Sequence, residues 1–348
     1  MADDLGFSDL DWKDDTLYTP NIRSLAFHQN SVQLTNSYVN QLCTPTRSAF
    51  MTGYYPFRVG TQNGVFLHME PSGVPLLFPF VSENLRSLGY STYLIGKWHL
   101  DQWHRELRRV VRGVDLFEEV GDGVSTPDFS QDGVYSTELF ADAAMELIDV
   151  HNSSKPFFTF LSFQAVHPPL QVPKKFEKYC YRIKSKARRI YCGMLTAMDF
   201  AIGRVIDFLK STGHYEDTNG GTAQFGASNW PLRGEKDSLW EGGTKTTTIV
   251  HAPKHIKETA LINGTTLSVD YHVLDVFNLS TTSMTMDRRY EDPGESHDIS
   301  RLQPAIVRRL LNKILDLQKY MRRNVRKPLS ILGNPELLNG SYASGWCT

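Results

Sequence analysis

Apolar residues recur along the chain with two different spacings. A spacing of three or four residues, typical of an amphipathic helix, is clearest over residues 190–208. This spacing, together with proline or glycine at helix ends, predicts shorter helices over residues 20–26, 43–53, 82–88, 137–150 and 306–321. Alternating or continuous apolar runs predict strands over residues 31–39, 91–95, 157–163 and 246–250. Helices that alternate with strands indicate an α/β fold built on a sheet.

Polar loops follow three of the predicted strands, at residues 40–47, 96–99 and 164–169. In open α/β sheets, ligands bind beyond the carboxyl ends of the strands. A lone lysine or histidine is usually a surface group, but Lys97 and His99 lie two positions apart in such a loop and could share one anionic ligand. His167 is either an ordinary loop histidine or a general acid–base group, because the pKa of histidine lies near neutrality.

Cys43 stands just before a proline-initiated helix, with Arg47 one turn further on. A free cysteine is most often a small buried hydrophobic residue. The functional alternative is that the helix N-terminus and the arginine together hold an oxyanion. Asp3 and Asp4 are either a solvated pair or two oxygen ligands for a hard cation such as Ca²⁺ or Mg²⁺. Lys236 has no such signal by itself.

The charge balance excludes two classes of partner. Lys and Arg total 37 and Asp and Glu total 38, so the net charge is −1 and gives no electrostatic case for nucleic acid or a membrane surface. The chain has no apolar run of about 18 residues, so we expect no membrane span. Two basic runs, at 105–112 and 182–189, are either solvated helix faces or a surface for an anionic polysaccharide.

Several features bear on the cellular compartment. The first six residues have neither a charged region nor an apolar one, so we expect no signal peptide in this chain. Four N-x-S/T sequons nevertheless favour the secretory route: Asn152, Asn263, Asn278 and Asn339. Among the four cysteines, Cys180 and Cys192 could bridge a short loop, which would leave Cys43 and Cys347 unpaired.

The segment between Leu209 and Leu232 contains no valine, isoleucine or leucine. After the long helix, an α/β chain is expected to return through a buried strand. The polar, glycine-rich sequence that begins at Tyr215 instead predicts a loop.

Seven motifs, in order along nearly the whole chain, resemble those of the sulfatase family, and most closely the arylsulfatase B (N-acetylgalactosamine-4-sulfatase) group. Cys43-Thr-Pro-Thr-Arg47 resembles the family signature Cys-Thr-Pro-Ser-Arg, with Thr46 in place of serine. The other six motifs begin at Ala2 (Ala-Asp-Asp-Leu-Gly), Ile95 (Ile-Gly-Lys-Trp-His-Leu), Val166 (Val-His-Pro-Pro), Asn219 (Asn-Gly-Gly), Asn229 (Asn-Trp-Pro-Leu-Arg-Gly-Glu-Lys) and Asp292 (Asp-Pro-Gly-Glu-Ser-His). Each motif alone is weak, but seven in order are specific.

This resemblance implies a sulfatase (alkaline-phosphatase-like) α/β fold. A central, mostly parallel sheet would lie between helices, and the C-terminal subdomain would be truncated. Residues 1–280 would form the catalytic domain, and residues 281–348 would be the remnant of that subdomain with a long helix. The implied activity is hydrolysis of sulfate esters on sulfated sugars or glycosaminoglycans, by a lysosomal or secreted protein.

The resemblance also implies the nucleophile and its metal. Cys43 would be oxidised to formylglycine by the formylglycine-generating enzyme. The hydrated aldehyde attacks sulfur and expels the alcohol, and the aldehyde reforms as sulfate leaves. A divalent cation, Ca²⁺ in the family, would polarise the sulfate. Its implied ligands are Asp3, Asp4, Asn219 and the modified Cys43.

Five further residues take catalytic roles by resemblance. Arg47 and Lys97 would hold the charge of the nucleophile and the sulfate. His99 would take the proton in the elimination step. His167 and Lys236 would bind sulfate and protonate the departing alcohol.

The chain departs from the family pattern at two strands. The family runs through an apolar strand into Ser/Thr-Asp-Asn-Gly-Gly, whereas here Asp217 and Thr218 directly precede Asn219. We therefore expect this strand and its metal-binding aspartate to be missing, as well as the strand before Asp3. The alternative function is a catalytically impaired or inactive sulfatase-like protein that binds sulfated glycans. A phosphoryl-transfer relative is disfavoured, because those proteins usually have serine or threonine at the position of Cys43.

Overall fold

The structure is a computed structural model. It describes residues 1–100, 110–112, 115–119, 125–217, 220–222, 228–256, 260–261, 271–272, 292, 294–296 and 300–337. Of the predicted metal ligands, Asn219 lies outside the described residues. The sequons at Asn263, Asn278 and Asn339, the cysteine at Cys347 and most of the basic run at 105–112 also lie outside them.

Helices and strands alternate through most of the described chain. The α-helices are α1 (Pro20–Ala26), α2 (Cys43–Thr52), α3 (Pro56–Val59), α4 (Val81–Ser87), α5 (Ser136–Val150), α6 (Lys174–Glu177), α7 (Lys186–Ser211), α8 (Glu241–Thr244) and α9 (Pro304–Gln318). The strands are β1 (Ser31–Tyr38), β2 (Ser91–Lys97), β3 (Val110–Arg112), β4 (Asp115–Glu119), β5 (Ser125–Pro127), β6 (Phe157–Ser162), β7 (Gly220–Thr222), β8 (Lys245–His251), β9 (Ala260–Leu261) and β10 (Tyr271–His272). Every predicted helix and strand is present, with its ends shifted by a few residues.

The strands form two five-stranded sheets. The first has the order β10-β1-β8-β7, with β9 also paired to β1, and β1 runs antiparallel to β8. The second has the order β5-β4-β3-β2-β6, and β2 runs parallel to both β3 and β6. The predicted α/β class is confirmed, but the strand directions are mixed, and the expected single sheet is divided in two within the described residues.

The segment predicted to be a loop after α7 contains a short strand. Gly220–Thr222 forms β7, which pairs antiparallel with the last three residues of β8. The loop prediction is therefore wrong at these three positions. Strand β7 consists of two glycines and a threonine, so no apolar pattern in the sequence predicts this pairing.

The main core lies under α5 and α7. Buried side chains from these helices pack with apolar residues of both sheets, including Ile95 of β2 and Ile249 of β8. Ser185 caps α7 by accepting a hydrogen bond from the Arg188 amide. Cys180 and Cys192, which the sequence left as one possible pair, form a disulfide that fastens the preceding turn to α7. In the described part of the chain, no helix is long and apolar enough to cross a bilayer.

A buried carboxylate on α7 holds the start of α1. Asp199 is fully buried and accepts hydrogen bonds from the backbone amides of Asn21 and Ile22 and from the Asn21 side chain. Burial, only partly offset by these hydrogen bonds, raises the pKa of Asp199 from 3.8 to about 6.

This raised pKa predicts a pH-dependent loss of stability. Between pH 3.8 and about 6 the unfolded chain ionises Asp199 while the folded chain keeps it protonated. The contribution of Asp199 to folding is therefore complete below pH 3.8 and is lost as the pH rises through 6. The difference between the two pKa values corresponds to roughly 3 kcal/mol. Urea unfolding of the wild type and of Asp199→Asn at pH 4 and pH 7 measures it. We expect the stability of the wild type relative to the variant to fall by about this amount; a difference independent of pH would contradict it.

The C-terminal part of the described chain packs on α3 and the residue that follows it. We name residues 322–330 the C-terminal strap. The amides of Arg322 and Val325 donate to the carbonyl oxygens of Phe57 and Gly60, at 2.8 and 2.9 Å. The helix before the strap, α9, has no buried residue. The assignment of residues 281–348 to a separate subdomain stays a prediction.

An ion pair fixes this strap. Glu70 is 1% exposed, and Arg326 donates to both of its carboxylate oxygens at 2.8–3.1 Å. Arg326→Leu leaves the buried carboxylate without its cation, so we expect the free energy of unfolding to fall by about 3 kcal/mol. This is the low end of the range for buried ion pairs, because the Arg326 side chain is one-third exposed. Urea denaturation measures this loss. Lys319→Leu is the matched control, since the Lys319–Asp316 pair is exposed and should contribute nothing measurable. Equal stability of the two variants would refute the prediction.

Candidate active site

Five segments meet at one end of the second sheet. Residues 1–3 run along the end of β6, where the Asp3 amide donates to the Ala165 carbonyl at 3.0 Å and the Val166 amide donates to the Asp3 carbonyl at 2.8 Å. The loops after β2 and β6 start at the same edge, because these strands are parallel neighbours. The structure brings together seven of the predicted site residues: Asp3, Asp4, Cys43, Arg47, Lys97, His167 and Lys236.

Asp3 is the most heavily neutralised group of the site. It is 2% exposed, and its two carboxylate oxygens lie 2.5 Å from Lys97 Nζ and 3.4 Å from Arg47 Nη2. Burial alone would raise the pKa of Asp3. The charges of Lys97, Arg47 and His167 outweigh burial and hold that pKa far below its ordinary value. Asp3 is therefore an ionised carboxylate in a nearly dry environment.

Arg47 is held in place by three elements. Its side chain is 2% exposed and extends from the first turn of α2. One guanidinium nitrogen, Nη1, donates at 2.7 Å both to the carbonyl oxygen of Lys97 and to Ser162 Oγ. The guanidinium thus cannot turn away from the site without breaking contacts to β2 and β6.

Cys43 lies between an anion and a cation. Its Sγ is 3.6 Å from Asp3 Oδ1 and 3.7 Å from Lys97 Nζ, and the residue is buried with no disulfide partner. Burial, followed by the charge of Asp3, raises the pKa of the Cys43 thiol despite the nearby cations. The unmodified side chain is therefore a neutral thiol and a poor nucleophile at neutral pH.

Asp4 faces the open side of the site. Its Oδ2 lies 2.6 Å from Lys236 Nζ and 3.5 Å from His167 Nε2. Burial would lower the pKa of Lys236, but the neighbouring Cys43 and the contact with Asp4 raise it. Within the described residues, the other oxygen of Asp4, Oδ1, is buried and accepts no hydrogen bond.

These oxygens fit a divalent cation. A buried carboxylate oxygen without a donor is costly unless a cation balances it. Ligand atoms of Asp3, Cys43 and His167 also lie within 4.8 Å of one another. Hard cations prefer several anionic oxygens, which Asp3 and Asp4 offer.

His99 lies beside the cluster in an unusual backbone conformation, with φ of 61°. Its Nε2 is 3.0 Å from the carbonyl oxygen of Phe66, which can only accept, so Nε2 carries the proton. Among the described residues, Nδ1 is buried without a partner. Burial, followed by the charges of Lys97 and Arg47, lowers the pKa of His99 to about 3. The ring is therefore neutral, with its proton on Nε2 and none on Nδ1.

Comparison with known proteins identifies the family. The sulfatase family model matches residues 1–285. The chain belongs to the sulfatase family. It is 34% identical to arylsulfatase J of Mus musculus over 283 residues, which cover 73% of this chain and 47% of the relative. It is 27% identical to an arylsulfatase of Hemicentrotus pulcherrimus over 307 residues, which cover 75% of this chain and 54% of the relative. The chain thus spans about half the length of these curated relatives.

The solved structure of Ps i-CgsB, in complex with k-i-k-neocarrahexaose, has a similar fold. It superimposes with a TM-score of 0.79, at 22% identity, over 93% of this chain and 92% of that one. At this level of identity the likeness shows the fold alone. The structure of the putative sulfatase yidJ from Bacteroides fragilis also superimposes, with a TM-score of 0.69 at 15% identity, over 92% of this chain and 96% of that one, which confirms the sulfatase fold expected from the motifs.

Sequence reasoning missed several groups that shape this sulfatase site. Ser162 and the Phe66 carbonyl fix Arg47 and His99, and the Thr44 hydroxyl donates to the His99 carbonyl at 3.0 Å. Ser162 stands at the end of a predicted strand, which was the one available signal. A backbone carbonyl such as that of Phe66 has none.

Proposed function

We propose that this sulfatase hydrolyses sulfate esters with a nucleophile derived from Cys43. The observation that carries the proposal is the position of Cys43, buried at the start of α2 between the Asp3 carboxylate and the Lys97 ammonium group. The raised pKa of its thiol argues against direct attack by sulfur. Oxidation to formylglycine, by the formylglycine-generating enzyme, would instead supply a hydrated aldehyde as the nucleophile.

Asp3 and Asp4 are the proposed ligands of one divalent cation, Ca²⁺. The unpartnered Oδ1 of Asp4 and the ionised state of Asp3 support this assignment. The modified Cys43 and Asn219, which lies outside the described residues, complete the proposed set. When bound, the cation would polarise the sulfate and stabilise negative charge on the nucleophile.

Arg47 and Lys97 would bind the sulfate and balance its charge. The guanidinium is fixed by Ser162 and by the Lys97 carbonyl before any substrate arrives. Donors that are positioned in advance need no reorganisation as charge develops in the transition state. The neutral His99 would accept a proton at Nδ1 when sulfate is released.

His167 and Lys236 would act on the leaving group. Their side chains are 33% and 31% exposed, whereas the side chains of Asp3 and Arg47 are only 2% exposed. The alcohol part of a substrate would therefore leave on the side of the site that is open to solvent. Lys236 is the proposed proton donor, and its contact with Asp4 orients it.

Sulfated sugars or glycosaminoglycans are the proposed substrates, and the lysosome or the extracellular space is the proposed location. Relatives named N-acetylgalactosamine-6-sulfatase, from Rattus norvegicus and Homo sapiens, support the substrate class. The disulfide between Cys180 and Cys192 and the exposed sequon at Asn152 support an oxidising, secretory environment. The narrower resemblance to the arylsulfatase B group stays a prediction.

A sulfatase-like protein with little or no activity is the second candidate. The observation that favours it is β7, a three-residue strand that pairs with β8 in place of a longer apolar strand ending in aspartate. Turnover of 4-nitrophenyl sulfate by protein from a secretory host, with and without Ca²⁺, distinguishes the two. Metal-dependent turnover supports the enzyme, and its absence, with retained binding to sulfated oligosaccharides, supports the second candidate.

A further inference from the structure

Asp9 is a buried carboxylate that none of the proposed catalytic steps uses. It is 0% exposed and lies after Asp3 and Asp4 in the same N-terminal loop, before α1. Its Oδ2 accepts hydrogen bonds from the Gly6 amide at 3.1 Å, the Ser228 amide at 2.8 Å and the Tyr191 hydroxyl at 2.7 Å. Three segments distant in sequence therefore converge on a single carboxylate oxygen.

The second oxygen of Asp9 is bound to α7. Arg188 Nη2 lies 2.6 Å from Asp9 Oδ1. Tyr191, whose hydroxyl binds Oδ2, belongs to the same helix and is also buried. Asp9 is thus anchored to the longest helix, which packs in the main core.

Ser228, whose amide donates to Asp9, belongs to the segment that continues along the chain to Lys236. Beside this contact, the Ser8 amide donates to the Ser228 carbonyl at 2.8 Å, and the Ser8 hydroxyl donates to the Trp230 carbonyl. The Phe7 amide donates to Asn229 Oδ1 at 3.2 Å. Residues 6–9 and 228–230 are therefore joined along their whole length.

Gly6 shows how closely these two segments approach. A side chain at this position would place its Cβ 2.3 Å from Asp9 Oδ2 and 2.4 Å from the Ser228 nitrogen. Only glycine allows this approach. The segments are then tied a second time, where Lys236 Nζ meets Asp4 Oδ2 at 2.6 Å.

We propose that Asp9 is a positioning residue that locks the loop of Asp3 and Asp4 onto the segment of Lys236 and thereby sets the contact between Asp4 and Lys236. This inference rests on the proposed function for one step, the protonation of the leaving group by Lys236. Asp9 acts through the backbone of residues 6–8 and 228–230, and its anchor on α7 makes that backbone rigid.

The test is Asp9→Asn, with Asp199→Asn as the matched control. Both carboxylates are fully buried, and each accepts two backbone amides as well as side-chain donors. An amide has one acceptor oxygen, so in either variant some donors lose their acceptor. The partners of Asp199 lie in α1 and not in a loop of the site. Asp9→Asn should lose more stability, because it also breaks the ion pair with Arg188, but only Asp9→Asn should disturb Lys236.

The first readout is the dependence of kcat on the leaving group. 4-Nitrophenol leaves without protonation, whereas a sugar alcohol needs an acid. We expect Asp9→Asn to reduce kcat for a monosaccharide sulfate about tenfold more than kcat for 4-nitrophenyl sulfate. Asp199→Asn should reduce both by the same factor, since a smaller folded fraction affects all substrates equally. Equal losses for both substrates in Asp9→Asn would overturn the proposal.

The second readout needs no activity and so separates this proposal from the proposed function. Hydrogen exchange of the amides of residues 6–9 and 228–230 should accelerate in Asp9→Asn and stay unchanged in Asp199→Asn. If Asp9→Asn does not fold, Tyr191→Phe should show the same change more weakly at residues 7–9 and 228–230, since it removes one donor to Asp9; Gly6 is left out of this comparison because its amide also contacts the Tyr191 hydroxyl at 3.4 Å. Unchanged exchange at both segments in the folded variant would overturn the proposal even if the wild type is active.

Discussion

Replacing Cys43 with alanine is expected to reduce sulfate ester turnover to the uncatalysed background and to leave the protein folded. With the described residues, the Sγ atom makes two long polar contacts, at 3.6 and 3.7 Å, so its removal should cost little stability, about 1 kcal/mol. The whole nucleophilic step disappears with it, because no other described side chain occupies that position. An aryl sulfate assay and thermal melting of the variant measure the two quantities.

Thr46→Ser is the matched control for this prediction. Thr46 lies one turn after Cys43 on α2 and donates to the Asn40 carbonyl at 2.8 Å, a bond that serine can keep. Its activity should equal that of the wild type. Peptide mass spectrometry of the wild type should show an aldehyde at Cys43. An unmodified thiol together with full activity would disprove the proposed nucleophile.

The fold was predictable where a single segment of the chain has a regular apolar pattern. Helix α7 follows from its repeated apolar spacing, and its observed bounds, Lys186–Ser211, enclose the predicted segment. Strands β2 and β6 follow from short apolar runs. The strand β7 was not predictable, because two glycines and a threonine have no apolar pattern.

The site, like the fold, was predictable from the sequence only in part. Cys43 and Arg47 share one helical turn, and Lys97 and His167 stand at the ends of neighbouring parallel strands, so spacing and sheet geometry bring them near each other. The contact between Asp4 and Lys236 spans 232 positions, and only the family resemblance pointed to it. The Glu70–Arg326 pair and the Asp9 contacts are equally distant, and no local pattern marks them.

The separation of the described strands into two sheets bears directly on the proposed metal site. Strand β8 pairs with β1 along its length, whereas on its other side the described residues provide only β7, which pairs with residues 249–251. At the β6 edge of the second sheet, residues 1–3 follow β6 and carry Asp3 into the site. Ile249 of β8 and Phe163 after β6 pack in the same core, so the two edges belong to one interior. A longer strand at β7 would therefore support both the core and the metal-binding edge.

Inserting about seven residues, an apolar strand ending in aspartate, before Asn219 is expected to raise stability, Ca²⁺ affinity and turnover together. Each apolar side chain that becomes buried contributes roughly 1.5–3 kcal/mol before the cost of ordering the strand. The added carboxylate gives a hard cation one more anionic oxygen. Melting temperature with and without Ca²⁺, and an aryl sulfate assay on both forms, measure the three effects.

Two control insertions distinguish the effect of the apolar strand from the effect of its added carboxylate. An otherwise identical insertion ending in asparagine keeps the apolar side chains and should raise the melting temperature without Ca²⁺ as much as the aspartate version does. Only the aspartate version should gain a larger Ca²⁺-dependent increase, because a ligand that binds only the folded state stabilises by RT ln(1 + [L]/Kd) and tighter binding enlarges this quantity. A glycine–serine insertion of equal length should raise neither the melting temperature without Ca²⁺ nor its Ca²⁺-dependent increase. If the original chain already melts and turns over like the aspartate version, then the short β7 pairing is sufficient, and the absence of that aspartate does not limit the enzyme.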